Sequence, residues 1–71
     1  MEHDILAIET KLREMKPWLE AYTEDEIIDK LQRLSRPGQE GHAQWSLILT
    51  AALDNFDRLE SSIDAAVAWH S

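Results

Sequence analysis

Between Ile5 and Tyr22 the apolar side chains fall at Ile5, Ile8, Leu12, Met15, Leu19 and Tyr22, separated alternately by three and four residues. That spacing lays them along one stripe of an α-helix. A strand does not fit, because a period of two would set Glu9, Lys11 and Arg13 beside Ile5. The stripe predicts a helix over residues 3–21. Pro17 interrupts it: proline lacks the N–H and crowds the turn before it, which predicts a kink or break near Lys16. Pro17 also suits the opening of a short new turn carrying Trp18, Leu19 and Tyr22.

Thr23-Glu24-Asp25-Glu26 has the form of a capping box, with Thr23 as N-cap and Glu26 three residues on. Tyr22 and Ile27 stand where a hydrophobic staple would put them. A second helix over 24–35 follows, burying Ile27, Ile28, Leu31 and Leu34, with Glu26–Lys30 and Asp29–Arg33 as favourable i, i+4 pairs. Residues 35–42 hold both glycines and one of the two prolines and predict a short loop between antiparallel neighbours. From 43 to 69 there is neither glycine nor proline. Trp45, Leu49, Ala52, Phe56, Leu59, Ile63 and Ala66 again alternate by four and three, flanked by Ile48, Leu53 and Val67, which predicts one helix of about 40 Å. Leu31, Leu49 and Phe56 are the foremost core candidates.

These segments predict an all-α protein, a single domain over 1–71 whose three helical segments form a small antiparallel bundle or a long helical hairpin. The capping box marks a real break before Glu24, and the wide apolar face from Trp45 to Leu53 calls for two neighbours, so the bundle is preferred. A third helix much longer than the second leaves some apolar area that one short chain cannot cover.

Composition narrows the class. Of 71 residues, 44 % are hydrophobic and 30 % charged, the balance of a folded chain. With no cysteine, disulfide scaffolds and thiolate zinc sites are excluded. Fourteen acidic against seven basic residues give a net charge of −7, contrary to what phosphate neutralisation by a nucleic-acid binder requires. No run approaches the ~18 apolar residues that a membrane-spanning helix needs. The opening Glu2-His3-Asp4 lacks the basic character of a secretory leader, which makes the cytoplasm the expected location.

Few residues suggest chemistry. His3, His42 and His70 do not form a ligand pattern, and no metal or cofactor is expected. Glu24, Asp25, Glu26 and Asp29 are explained by the positive end of a helix dipole. Asp57, Glu60 and Asp64 are different. They form a stripe with only Arg58 nearby in sequence and with Glu60 and Asp64 in a like-charge i, i+4 relation, which fits either a solvated face or a patch for a basic partner. Trp45 belongs to the core seam, whereas Trp18 and Trp69 stand at its margins, and tryptophan is enriched at interface hot spots. No nucleophile elbow or phosphate-binding loop occurs, so no enzymatic activity is expected.

The outline, a helical hairpin hinged on a Pro/Gly loop, is similar to that of type III secretion needle subunits and their small helical co-chaperones, and of some phage-encoded inhibitors. The likeness is carried by Gln44-Trp45 opening a long helix that ends Ile63-Asp64-Ala65-Ala66-Val67; it spans under half the chain and assigns no family. The expected function is a non-enzymatic, acidic protein–protein interaction module acting through amphipathic helix faces, as an adaptor, chaperone-like protein or assembly subunit. Its partner would be another protein or a second copy in a homodimer, with no direct nucleic-acid or membrane contact. Trp18, Asp57, Glu60, Asp64 and Trp69 are the expected partner-binding residues. The alternative is an acidic inhibitor or nucleic-acid mimic that blocks a basic surface of its target.

Overall fold

The three segments expected from the periodicity become five helices, because the first and third are each divided. The computed structural model describes residues 2–69. Helix α1 spans Glu2–Glu14, α2 Lys16–Ala21, α3 Glu24–Leu34, α4 His42–Asp54 and α5 Phe56–Trp69, with no strand among the described residues. The protein is an all-α bundle.

The first division follows from Pro17. Met15 keeps right-handed helical angles, φ −79° and ψ −12°, and precedes a first turn of α2 that contains the proline. There the missing N–H would have had no partner in its own helix. The Met15 carbonyl instead accepts from Trp18 and Leu19, at 3.0 and 3.3 Å.

The second division is at Asn55, in the middle of what the pattern predicts as one continuous helix over 43–69. Asn55 is extended, with φ −160° and ψ 98°. Its N–H still donates to the Ala51 carbonyl at 3.0 Å, closing α4, while its Oδ1 accepts from the Arg58 N–H at 3.2 Å, opening α5. Asparagine is among the best N-caps, because its short side chain reaches the free amides of the first turn. An unbroken helix of about 40 Å would also overrun a molecule whose longest dimension is 31 Å. Bent at Asn55, the chain folds back so that α3 packs on α4 and α1 packs on both α4 and α5, while α4 and α5 pack on each other. Helix α1 therefore covers parts of both halves.

The break bends the axis but leaves the seven-residue phase intact, with Trp45, Ala52, Leu59 and Ala66 all buried. In α4 the buried stripe is Trp45, Ile48 and Ala52; in α5 it is Leu59, Ile63 and Ala66. Leu31 is fully buried as expected, but Leu49 and Phe56 are only half-buried. The innermost side chains are Met15, Ile27, Leu31 and Ile63, and no polar or charged residue is buried among those described.

At the start of α3 the capping box forms in full: Thr23 Oγ1 accepts from the Glu26 N–H at 3.3 Å, and Glu26 Oε1 accepts from the Thr23 N–H at 2.9 Å. The backbone donor of Thr23 holds the Glu26 carboxyl below the usual carboxylate range. Thr23→Ala should cost about 1 kcal/mol, read as a lower melting temperature. A carboxyl with a lowered folded-state pKa contributes stability above its unfolded pKa and loses it as pH falls through the folded one. Alanine keeps the residue-23 N–H that is the main cause of the lowered Glu26 pKa, so wild type and Thr23→Ala should both lose this contribution in acid.

The loop before α4 turns on two left-handed glycines, Gly38 at φ 95° and Gly41 at φ 72°. Open space surrounds Gly38, but a Cβ on Gly41 would stand 2.6 Å from Lys11 Cε. The Lys11 side chain passes over Gly41 to bring Nζ within 5.5 Å of the Trp45 ring centroid. Alanine at either glycine meets the left-handed penalty of about 1–2 kcal/mol. Gly41→Ala should cost more than Gly38→Ala, because it also displaces Lys11 from the ring; parallel thermal melts check this.

Candidate interaction face

The five residues expected to bind a partner are dispersed. Trp18 is half-buried and stacks on Trp45, ring centroids 5.7 Å apart and planes 15° from parallel. Lys30 Nζ lies 5.7 Å from the Trp18 centroid and 4.3 Å from that of Tyr22. Cations over aromatic faces are attracted by the ring quadrupole. Lys30 and Lys11 thus flank an internal aromatic pair, and Trp18 helps to close the molecule on the α2–α3 side.

The acidic stripe has a cation that sequence spacing did not supply. Lys16, brought up by α2, donates to Asp64 Oδ1 at 2.6 Å across 48 positions of chain. This hydrogen bond, with the charge of Asp64 and weaker contributions from Glu20 and Glu60, raises the Lys16 pKa. Because α5 starts at Phe56, Asp57 sits in a first turn, where a carboxylate is stabilised by the helix dipole. The stripe that looked unsupported in a single long helix is partly explained by the Asn55 break and by Lys16.

Trp69 is the exception, 80 % exposed at the end of α5. It lines a shallow depression with Glu9 and Leu12 of α1 and Ser62, Ala65 and Ala66 of α5. A second depression continues from the first, sharing Leu12 and Ser62, and is walled by Ile8, Leu47 and Ala51 over a floor that includes Ile48 and Leu59. Together they make one apolar face across α1, α4 and α5. Leu47 on its rim is 59 % exposed. Ile5, also 59 % exposed, precedes Glu9 by four residues and Leu12 by seven, which puts it on the same side of α1.

Charge is scarce on this face. From Ala43 to Leu53, α4 has no charged residue, and from Ala65 to Trp69, α5 has none, in a chain that is 30 % charged. Glu9, half-buried, is the one charged residue lining either depression. The sequence pattern marked the wide apolar stretch from Trp45 to Leu53 but not Leu47, Ala51, Ser62 and Ala65 as parts of one surface. The uncharged run in α4 was the available signal; its pairing with α5 depends on the turn at Asn55.

The other depressions are lined by more charged residues. One beside α3 is lined by Tyr22, Asp25, Glu26, Asp29, Lys30 and Arg33, and within it Arg33 pairs with Asp29 at 2.8 Å. His42 Nδ1 lies 3.3 Å from the Gln39 carbonyl. His70 and the side chain of His3 lie outside the described residues. Among the described residues no three His, Cys, Asp or Glu converge as a metal site would require, and no helix is long and apolar enough to cross a membrane. No family model, curated protein or solved structure matches the chain.

Proposed function

We propose that this protein is a non-enzymatic interaction module that works, in the cytoplasm and without a cofactor, by burying the α1–α4–α5 face against another polypeptide. The observation that carries the reading is Trp69, a large aromatic side chain 80 % exposed beside an apolar, nearly uncharged surface. Burying such a side chain is favourable by roughly 1.5–3 kcal/mol. Aromatic enrichment with depletion of charge is the composition of an interface core, not of an ordinary solvated surface.

The acidic-mimic reading has less support. Asp64 pairs with Lys16, Asp29 with Arg33, and Glu26 is engaged by Thr23. Carboxylates held by their own chain are poorly placed to imitate a row of phosphates, whose attraction for a basic surface depends on free charge.

A photoreactive benzophenone side chain at position 47 tests the proposal. In cells making the protein it should yield a discrete cross-linked product. The same group at Gln32, exposed on α3, should not. No product from position 47, or the same products from both positions, would remove this face from the function.

A further inference from the structure

Between Met15 and Ile27, both fully buried, lie eleven residues of which none is buried. Helix α2 takes up the first half of this stretch. Its six residues are far fewer than the ~12–15 that a helix needs to persist alone in water, so α2 is held by what it touches. Those attachments are few and lie near the surface. Lys16 pairs with Asp64 at 2.6 Å, with 43 % and 60 % of the two side chains exposed. Trp18 stacks on Trp45, and Leu19 packs half-buried against the core.

The neighbouring helices do not depend on α2. Helix α1 closes within itself, the Met15 N–H donating to the Lys11 and Leu12 carbonyls at 3.2 and 3.1 Å. Helix α3 opens on its own capping box. The backbone is interrupted at both junctions, by Pro17 on one side and by Tyr22 and Thr23 on the other, both extended at ψ 155° and 166°. A segment interrupted at two points and fastened between them by an exposed ion pair and one ring stack can leave without unravelling either neighbour. We infer that residues 16–22 form a strap that detaches as a unit while α1, α3, α4 and α5 stay folded. Such partial openings follow elements with few buried contacts. Detachment uncovers the Trp45 ring and frees the Asp64 carboxylate, which are held by strap residues only two positions apart. One movement thus presents an aromatic face and an acidic stripe that the chain's own segment otherwise masks. This opening is independent of what covers the α1–α4–α5 face.

Amide hydrogen exchange of the intact protein, followed by NMR over a low range of urea, tests the strap. The Trp18 and Leu19 N–H groups donate to the Met15 carbonyl and that of Tyr22 to the Trp18 carbonyl. All three should show one common protection, exchanging at least about tenfold faster than the amides of Leu31 and Ile63 and with little dependence on urea, because a local opening exposes little surface. Ile27, whose N–H donates to the Thr23 carbonyl at 3.0 Å just beyond the strap, should keep the slow exchange of the core. Lys16→Met removes the ion pair, retains the apolar stem, and should speed the strap amides by up to about fivefold without moving Leu31 or Ile63. Added salt should act in the same direction on wild type and little on the variant. Trp18→Ala should have a larger effect on the same three amides. Strap and core are read in one sample, so a general loss of stability would move both sets and be told apart.

Strap amides that share the core's rates and urea dependence overturn the inference, since α2 would then open only with the whole molecule. Rates graded from one end of the segment to the other would replace a unit with simple fraying and overturn it too. Exchange at Ile27 as fast as at Tyr22 would remove the hinge at Thr23 and with it the strap.

Discussion

Ile63→Ala should leave most of this domain unfolded at ambient temperature. Ile63 is completely buried, in the stripe of α5 that faces the core with Leu59 and Ala66. Truncating a buried isoleucine costs about 2–5 kcal/mol, combining lost transfer energy with the cavity left behind. The upper part of that range matches the whole stability of a marginal small domain, about 5 kcal/mol. The described core consists of ten buried hydrophobic residues without a buried polar partner among them, so no second network compensates. Phe56→Ala provides the contrast. A sequence reading that makes 43–69 one helix puts Phe56 on the seam and expects the larger loss there. With the break at Asn55, Phe56 is the first residue of α5 and only half-buried, so its truncation should cost clearly less than that of Ile63. Urea titrations of both variants followed by far-UV circular dichroism measure the order. Equal midpoints would mean that α5 does not present the stripe described.

Trp45→Ala should be comparably damaging, at about 3–5 kcal/mol. Trp45 is 5 % exposed, near the start of α4, and receives Trp18 on one ring face. Its loss removes core volume, the stacked pair and the ring beneath Lys11 together. Through Trp18 it also loosens the attachment of α2, which packs on α5 and α3. Trp45→Phe keeps an aromatic face for Trp18 and should recover part of the loss, because aromatic pairs contribute about 0.5–1.5 kcal/mol beyond the area they bury. Thermal melts of the two variants measure that recovery. A Phe variant no better than Ala would mean that neither a smaller ring's volume nor its stack on Trp18 offsets the loss.

The helical periodicity, the capping box and the Pro/Gly loop were legible along the chain because each acts over a few residues. Thr23 and Glu26 satisfy each other within one turn, and Pro17 breaks the ladder wherever the rest of the chain lies. Asn55 is a local signal of the same kind, which a reading of the alternation from Trp45 to Ala66 alone does not register. The period records which residues are apolar, not whether the axis stays straight. The exchange of Leu49 for Ile48 in the buried stripe has the same origin: the two differ by only about 100° around the helix, and the packed neighbours settle which one turns inward.

The candidate site was legible only in part. Trp69 as an exposed aromatic at the end of the chain's last helix followed from its position beyond the seam. Its companions Leu47 and Ala51 did not, since they stand about 20 residues away and meet it only where α4 and α5 fold together against α1. Lys16 and Asp64 likewise form an ion pair across 48 positions, a relation no i, i+4 rule reaches. Helix existence, caps and the all-α class rest on short-range hydrogen bonding and apolar spacing, and those are written residue by residue. The apolar face, the Trp18–Trp45 stack and the partner of Asp64 depend on the angle at which α4 turns into α5. That angle is set by how the whole core closes, because it is the packing of α1 against both helices that buries the apolar stripes at the least cost in exposed surface.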